Sequence, residues 1–422
     1  MNKLFQWISL LLVPVVTTAC HQHVTDMKRV PPQASVPVQQ ANPDSSEELV
    51  VWSFYDTTEN DKHFASVHPD IKVKSELHTY EEIADALIES VITGEAPDVV
   101  ILDSAHTGKI NGIDILDNLR EAPYQAKEYE ARIPEGMLPM YSNLAMDKLI
   151  TLPMELPSAV TYYRADLLEA NGFPSEPEAL AAYMSNPQMW VDMAMKLKES
   201  NIFLFQYYSD PFETAALSAS MLDREMKFAR GSQAFVDAFF VSREVRRHGL
   251  ALRSSIWDTS GQQALRSGQL AMLYGGTYLT QQLKSWAPEL AGRWRTARLP
   301  LNLYGYRDGA MIAVTKQSQH KAEAWKYIEQ STALLQPDDQ PGTEAYLGGQ
   351  DVKALVRDLA PHNKGIFPTP MDARLKELWD KKSVGIVESE RPISEQLQDL
   401  GQQTEQITSE DRKMISDYLS QP

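Results

Sequence analysis

The sequence predicts an α/β protein built from two domains. The chain has 422 residues, more than a single hydrophobic core usually serves, so two domains are expected. With 43% hydrophobic residues and 9% aromatic residues, it has the composition of a globular protein that can bury large cores. Its first folded segment shows a strand, a helix and a second strand in succession, which is how an α/β domain begins.

This strand–helix–strand pattern lies between residues 48 and 103. Glu48–Ser53 (ELVVWS) is typical of a buried strand. Tyr80–Ile92 places its apolar residues at helical spacing on one face. Val99–Leu102 is a run of four apolar residues entered through Pro97-Asp98, which favours a central parallel strand.

The later elements alternate in the same way. Further strands are predicted at Lys148–Leu152, Ala159–Tyr163 and Ile202–Gln206. A helix is predicted at Asp166–Asn171, and helical patterns dominate 213–250, 260–268, 318–334, 371–380 and 391–420. No internal repeat is visible.

Residues 1–20 have the pattern of a secretory lipoprotein signal. Lys3 supplies the charged start, and Leu4–Val16 form an apolar stretch that is too short to span a bilayer. Three small residues then precede Cys20, the only cysteine of the chain. We therefore expect Cys20 to carry a lipid and become the mature N-terminus, which attaches the protein to the extracytoplasmic face of the cell membrane by this anchor only. A stray thiol in a cleaved leader is the alternative.

The residues after the signal have the composition of a linker. Residues 21–46 are polar, rich in proline and without apolar periodicity, so we expect a disordered tether between lipid and folded protein. The net charge of −17 argues against nucleic acid as a partner, because no basic surface would neutralise phosphates. With Cys20 modified, no disulfide can form, and the sequence predicts neither a cofactor nor a metal site.

Five segments follow one another in a fixed order. They are LVVWSFYD (49–56), GEAPDVVILDSAHTG (94–108), LITLPMELPSAVTYYRADLLEANGFP (149–174), ALRSGQLAMLYGGTYL (264–279) and LPLNLYGYRDGAMIAVTKQSQHKAEAWKYIEQ (299–330). Together they resemble the bacterial extracellular solute-binding proteins of ABC sugar importers, the maltose-binding-protein-like group. The resemblance covers most of residues 47–335 and is loose beyond about 340.

The resemblance implies a two-lobed periplasmic-binding-protein-like fold with a cleft and a hinge between the lobes. Lobe one would hold residues 47–155 and 297–332, and lobe two would hold 156–296 and 333–422. The chain would cross between lobes at Pro153–Ser158, near Arg298–Leu299 and near Ser331–Leu335. The implied function is that of a monomeric substrate-binding lipoprotein. It would capture a carbohydrate, which the resemblance implies is an oligosaccharide, and deliver it to the transmembrane subunits of an ABC permease.

The chemistry of a sugar agrees with the residues at the predicted strand ends and crossing segments. A sugar offers hydroxyls and flat apolar faces, so its site needs aromatic rings together with fixed carboxylates and amides. Ligands of open α/β sheets bind beyond the carboxyl ends of strands. The candidate ligand-binding residues are Tyr55, Asp56, Asp103, Glu155, Tyr163, Tyr208, Asp210, Tyr278 and Tyr306.

The candidates each have a structural alternative. Tyr55 and Asp56 are as compatible with a loop surface as with a site, and Asp103 could cap the next helix. Glu155 lies at the predicted crossing, where it would either face the cleft or pack in the hinge. Strand alternation sends one residue of the Tyr162/Tyr163 pair to the core and one outward without deciding which.

Two further candidates depend on neighbouring glycines. Tyr278 follows Gly275-Gly276, where the missing side chains let the backbone approach a ligand, and the resemblance gives it a stacking role. Tyr306 flanks Gly305, and there a structural turn is at least as compatible as a site.

Two other classes of function were weighed against solute binding. A carbohydrate-active enzyme would use paired carboxylates, but no GxSxG, HExxH, Walker-type or GxGxxG motif occurs in the chain. An envelope scaffold lipoprotein would have no small ligand at all. The sequence favours a binding protein that is not an enzyme, and it does not identify the sugar.

Overall fold

The computed structural model describes residues 48–156, 158–306, 309–332 and 342–419. The predicted signal (1–20), its lipid attachment residue Cys20 and the predicted tether (21–46) lie outside the described residues.

The described part of the chain alternates strands and helices. The strands are β1 (Glu48–Ser53), β2 (Lys72–Leu77), β3 (Val99–Asp103), β4 (Leu152–Pro153), β5 (Ala159–Arg164), β6 (Met272–Gly276), β7 (Trp294–Ala297), β8 (Ala310–Val314), β9 (Thr343–Glu344) and β10 (Gln350–Asp351). The helices are α1 (Thr58–Val67), α2 (Ile83–Thr93), α3 (Thr107–Ile110), α4 (Lys127–Glu130), α5 (Leu138–Tyr141), α6 (Ala165–Ala170), α7 (Pro177–Tyr183), α8 (Pro187–Lys198), α9 (Asp210–Ala216), α10 (Gln233–His248), α11 (Thr259–Ser267), α12 (Leu279–Trp286), α13 (Lys321–Ser331), α14 (Val352–Leu359), α15 (Asp372–Glu388), α16 (Ile393–Ile407) and α17 (Ser409–Leu419).

Lobe one is built on a five-stranded sheet with the order β2-β1-β3-β8-β4. Strands β2, β1 and β3 are parallel, whereas β8 runs antiparallel to both of its neighbours. The apolar run of β3 occupies the middle of this sheet, and every residue of the strand is buried. Continuous burial on both faces explains why this strand lacks the alternation of a half-exposed one.

Lobe two is built on a three-stranded antiparallel sheet with the order β6-β5-β7. Hydrophobic cores cover both of its faces. Ala159 and Tyr163 of β5 belong to one core, which the long helices α8, α10 and α15 complete. Val160 and Tyr162 belong to the other core, together with helices α11 and α12.

The chain passes between the two sheets at points that form the hinge. Strand β4 belongs to the large sheet and β5 to the small one, so the first passage lies between Pro153 and Ala159. The second passage follows Leu303, which packs in the core of lobe two, and precedes Tyr306, which packs in the core of lobe one. It therefore lies several residues after the expected position near Arg298–Leu299, because the turn after β7 first covers the small sheet. The third expected passage, Ser331–Leu335, runs into residues 333–341, outside the described residues.

Three of the predicted helical and extended regions differ from the structure. Of the predicted strand Lys148–Leu152, only Leu152 lies in a strand, β4, and Leu149 makes an isolated bridge to Ser142. The 213–250 region is not one helical stretch, because residues 217–232 form turns between α9 and α10. Ile202–Gln206 forms only isolated bridges, from Phe203 to Leu270 and from Phe205 to Ala251. No helix within the described ranges is long and apolar enough to cross a membrane.

Candidate functional site

A cavity of about 310 Å3 lies between the two lobes. Lobe one contributes Ser104 and Ala105, directly after β3, and lobe two contributes α9 and the turns that follow it. This position agrees with the rule that ligands of α/β sheets lie beyond the carboxyl ends of strands. The remaining wall comes from the C-terminal region, through residues between Ile366 and Asp380. The cavity is therefore lined by both lobes, through several separate parts of the chain.

An arginine and a tryptophan stack in the wall of this cavity. The guanidinium carbon of Arg230 lies 4.4 Å from the centre of the Trp379 ring, within the range of a cation–π interaction. The guanidinium also donates from Nε to the carbonyl oxygen of Ala219 at 3.0 Å and from Nη2 to that of Ala216 at 3.4 Å. These contacts hold the planar cation in one orientation beside the cavity.

Trp379 is almost fully buried in the wall of this cavity. The side chain is 2% exposed and lines the cavity, yet its indole N–H has no hydrogen-bond acceptor among the described residues. A buried donor without an acceptor is costly, and most buried indole N–H groups find one. The side chain therefore offers aromatic surface to the cavity, whereas its N–H group is closed off from it.

A carboxylate from the C-terminal region lies in the same wall. Asp372 accepts hydrogen bonds from the hydroxyl of Thr369 at 2.7 Å and from the backbone N–H of Thr369 at 3.0 Å. Burial raises the pKa of this carboxyl to about 6, against the effect of those bonds and of the nearby positive charge of Arg230. Both an anionic acceptor and a cationic donor thus line the cavity, as recognition of hydroxyl groups requires.

A second group of predicted residues meets at the first passage between lobes. The hydroxyl of Tyr55 donates to the sulfur of Met154 at 3.0 Å, and burial together with the charge of Glu155 raises the pKa of Tyr55 to about 12. Glu155 is open to solvent, yet the protein that surrounds it on several sides raises the pKa of its carboxyl. An accessible acid with such surroundings is expected on the wall of a cleft.

Lobe two approaches this group through Tyr162. The charges of Tyr278 and Glu155 both act on Tyr162 and contribute to its raised pKa, although burial is the main cause. Tyr278 is half-buried against the core that contains Tyr162, directly before α12. Strand pairing places Tyr278 near the same passage, because Gly276 pairs with Ala159 where β5 begins. None of Tyr55, Glu155 and Tyr278 lines the cavity described above.

Tyr306 and Asp103 come together on the lobe-one side. Tyr306 is 1% exposed, lines the cavity and donates a hydrogen bond of 2.8 Å to the hydroxyl of Tyr141. The charge of Asp103 adds to the raised pKa of Tyr306, which burial mainly causes. Asp103 itself accepts a hydrogen bond from the backbone N–H of Ala105 at 2.8 Å and begins the helical turn Ser104–His106. Its carboxylate thus holds the loop that lines the cavity.

Two other predicted acids also fix backbone at helix starts. Asp56 is exposed and accepts hydrogen bonds from Thr58 through the backbone N–H at 3.0 Å and the hydroxyl at 2.5 Å, which lower its pKa. Asp210 accepts from the backbone N–H groups of Gln206 at 2.7 Å and Tyr207 at 3.3 Å. Burial nevertheless raises the pKa of Asp210 to about 7.

The two remaining tyrosines lie in lobe two. Tyr163 is fully buried and donates a hydrogen bond of 2.7 Å to the carbonyl oxygen of Ser175. Tyr162, its neighbour in β5, is fully buried as well, so neither residue of the pair points outward as strand alternation had led us to expect. The reason is that cores cover both faces of the small sheet. Tyr208 is half-buried against the larger of these cores.

The sequence did not indicate Arg230, Trp379 or Asp372 as site residues. Arg230 falls in the long region predicted as helical, and Trp379 and Asp372 fall where the family resemblance is loose. The one signal for Trp379 is a large aromatic residue in a predicted amphipathic helix, which core packing explains equally well. Within the described ranges, no three His, Cys, Asp or Glu side chains are grouped so that they could hold a metal ion.

Solved structures of bacterial sugar-binding proteins have the same fold. The galacto-N-biose-/lacto-N-biose I-binding protein of an ABC transporter from Bifidobacterium longum is 15% identical, with a TM-score of 0.69 over 88% of this chain and 99% of that one. The sugar-binding protein MalE from Xanthomonas citri is 17% identical, with a TM-score of 0.69 over 87% of this chain and 99% of that one. The likeness confirms the predicted two-lobed fold.

A third similar structure is the ABC transporter associated binding protein from B. animalis subsp. lactis in complex with β-1,6-galactobiose. It is 16% identical, with a TM-score of 0.65 over 87% of this chain and 99% of that one. Among curated protein sequences, none matches this chain. A family model described as bacterial extracellular solute-binding protein matches residues 61–343, about two-thirds of the sequence. The chain therefore belongs to the bacterial extracellular solute-binding protein family.

Proposed function

We propose that this protein captures a carbohydrate between its two lobes and delivers it to the membrane subunits of an ABC importer. The observation that carries the proposal is the interlobe cavity, whose wall holds a stacked Arg230–Trp379 pair and the carboxyl group of Asp372. Aromatic surface and directed polar groups are what a sugar requires. The similar structures from Bifidobacterium longum and B. animalis subsp. lactis contain disaccharides, which supports the same class of ligand here.

The proposed site has two parts. The cavity would hold one end of the ligand against Trp379 and Arg230, and the group at the first passage would contact it through Tyr55, Glu155 and Tyr278. Binding at the passage between lobes would favour the closed arrangement, because a ligand shifts such an equilibrium by its differential affinity for the two states. We propose that the protein acts as a monomer without a cofactor, and that it releases its ligand chemically unchanged.

The location follows from the predicted signal. We propose that Cys20 carries the lipid, that residues 21–46 span the distance from the membrane to lobe one, and that the folded part stays outside the cytoplasm. The family is extracellular, which supports this placement. The importer's ATPase would be a separate chain.

Thermal melting with a sugar panel tests the ligand class. The panel contains monosaccharides, disaccharides that include lacto-N-biose and β-1,6-galactobiose, and longer oligosaccharides. A binder at 100-fold Kd gains about 2.7 kcal/mol of stability, so its melting temperature should rise by several degrees. If no sugar raises the melting temperature, carbohydrate is not the ligand class. Sugar recovered in cleaved form would indicate an enzyme instead.

A pair of tryptophan variants tests the site itself. Trp379→Phe replaces the indole that stacks on Arg230 with a smaller ring, so the melting shift with the active sugar should fall. Trp294→Phe is the matched control, because Trp294 is also buried with an indole N–H that lacks an acceptor among the described residues, but it does not line the cavity. If the sugar shifts the melting temperature of both variants equally, the ligand binds outside this cavity.

A further inference from the structure

The segment Asn363–Pro370 passes between the two lobes, and we call it the strap. Before it, Leu359 packs in a core of lobe two, whereas Ala360 already packs in the core of lobe one. Within the strap, Ile366 lies against the core of lobe one. Directly after it, Met371 packs in the larger core of lobe two. The chain therefore leaves lobe two, contacts lobe one and returns.

Backbone contacts attach the strap to lobe one. The side-chain amide of Asn111 donates a hydrogen bond of 3.0 Å to the carbonyl oxygen of Pro368, and both groups are buried. Gly108 of α3 packs against the carbonyl oxygen of Thr369 so closely that a Cβ at this position would collide with it. Helix α3 and the strap thus touch through main-chain atoms, which cannot move aside as a flexible side chain can.

An equally close set of contacts attaches the strap to lobe two. The backbone N–H of Ser220 donates to the carbonyl oxygen of Gly365 at 2.9 Å, and the hydroxyl of Ser220 accepts from the backbone N–H of Phe367 at 2.9 Å. A Cβ on Gly365 would collide with the carbonyl oxygen of Ser218. Both lobes therefore hold the same short segment at the level of the backbone.

We propose that the strap ties the two lobes together and sets the width of the cleft. Opening the lobes by rotation about the hinge would have to break one of the two sets of contacts. Ile366, Pro368 and Thr369 of the strap also line the interlobe cavity, so its width follows from the position of the strap. The cavity of about 310 Å3 is at the small end of the ~300–1,000 Å3 range of small-molecule sites. The strap thus selects for short solutes. This consequence rests on the proposed function, whereas the tie between the two lobes does not depend on it.

Hydrogen exchange of the full chain without added ligand tests the tie between the lobes. Gly108→Ala disturbs the contact with lobe one, and Gly365→Ala disturbs the contact with lobe two. If the strap ties the lobes, each substitution should raise exchange about tenfold or more in both cavity walls, residues 104–111 and 216–221. The decisive observation is whether exchange also rises in the lobe that does not carry the substitution.

Two further variants keep this test interpretable. Gly385→Ala is the matched control, because it lies in α15 with no atom within 4 Å of the added Cβ, and it should leave exchange in both walls unchanged. Asn111→Ala removes one hydrogen bond to the strap without adding an atom, so it should raise exchange in the same direction even if a glycine variant fails to fold. Exchange that rises only in the substituted lobe would overturn the proposal. Because no ligand is needed, this result is independent of the sugar panel.

Discussion

Replacement of Asp210 by asparagine should stabilise the protein at alkaline pH and have little effect at acidic pH. The carboxyl group is half-buried at the start of α9, and burial raises its pKa from 3.8 to about 7. In the unfolded chain the same group ionises near its ordinary pKa. Between these two values the folded state binds more protons than the unfolded state, so its stability falls as the pH rises. Asparagine does not titrate and removes this dependence.

The magnitude follows from the size of the shift. A shift from 3.8 to about 7 corresponds to ~4 kcal/mol in a fully shielded site, at ~1.36 kcal/mol per pKa unit. The side chain is only half-buried, so solvent screens part of this cost and roughly 2 kcal/mol is expected. The quantity to measure is the difference in unfolding free energy between Asp210→Asn and the unchanged protein, compared at pH 8 and at pH 4. Urea denaturation gives both values.

In a matched variant, Asp56→Asn, the effect on stability should depend on pH with the opposite sign. Asp56 also accepts hydrogen bonds at a helix start, but Thr58 lowers its pKa, so the unchanged protein loses this contribution as the pH falls. The unfolding free energy of Asp56→Asn, relative to that of the unchanged protein, should therefore rise as the pH falls. The reasoning would be refuted if the unfolding free energy gained by Asp210→Asn were no larger at pH 8 than at pH 4. A tenfold loss of sugar affinity in that variant would show that the carboxylate binds ligand, as the sequence predicted.

The remaining predictions concern the attachment, the tether and the aromatic contact. Cys20→Ser should release the protein or leave it as an uncleaved precursor, and mass spectrometry that finds an unmodified Cys20 in the mature membrane form would contradict lipidation. A chain that begins at Glu47 should keep its affinity, whereas a loss of tenfold or more (about 1.4 kcal/mol) would give residues 21–46 a part in binding. Tyr278→Ala should weaken sugar binding about thirtyfold (on the order of 2 kcal/mol) with little change in melting temperature. A large fall in stability at unchanged affinity would instead make Tyr278 a core residue.

The strands that the sequence predicted best lie inside the large sheet, with a neighbouring strand on each side. The bounds of β1 agree residue for residue with Glu48–Ser53, and β3 follows its apolar run. Strand β2 (KVKSEL) was not predicted, because it lies at the edge of the sheet and most of its side chains are exposed. An edge strand gains its position from hydrogen bonds to β1 rather than from apolar burial, and such bonds leave no pattern in the sequence.

Strand alternation was a correct principle that led to an incomplete expectation. Tyr162 and Tyr163 do point to opposite faces of β5, but both faces are covered. Alternation gives the direction of each side chain and contains no information about how many layers surround the sheet. That number depends on helices such as α15, which joins lobe two from a part of the chain more than 200 residues away.

The candidate site depends even more strongly on packing between distant parts of the chain, which local sequence does not show. Arg230 and Trp379 are about 150 residues apart in the sequence, and only the packing of α15 against lobe two brings them together. Nothing local distinguishes either residue from an ordinary surface arginine or a core tryptophan. Residues that belong to one segment, such as the first passage around Glu155, could be proposed in advance because the family pattern marks that passage.

Acidic residues at strand ends were the least specific of the predicted signals. An aspartate that follows a strand can accept hydrogen bonds either from a ligand or from the backbone N–H groups of the next helical turn, because both present the same donors. Asp56 and Asp103 accept such backbone bonds in the structure, whereas Asp210 accepts from the backbone N–H groups of Gln206 and Tyr207, which precede it. In Asp103 the two roles are linked, since the turn that it holds carries Ser104 and Ala105 into the cavity wall. An aspartate of this kind shapes a binding site through the backbone that it fixes, so its substitution should alter affinity and local order together.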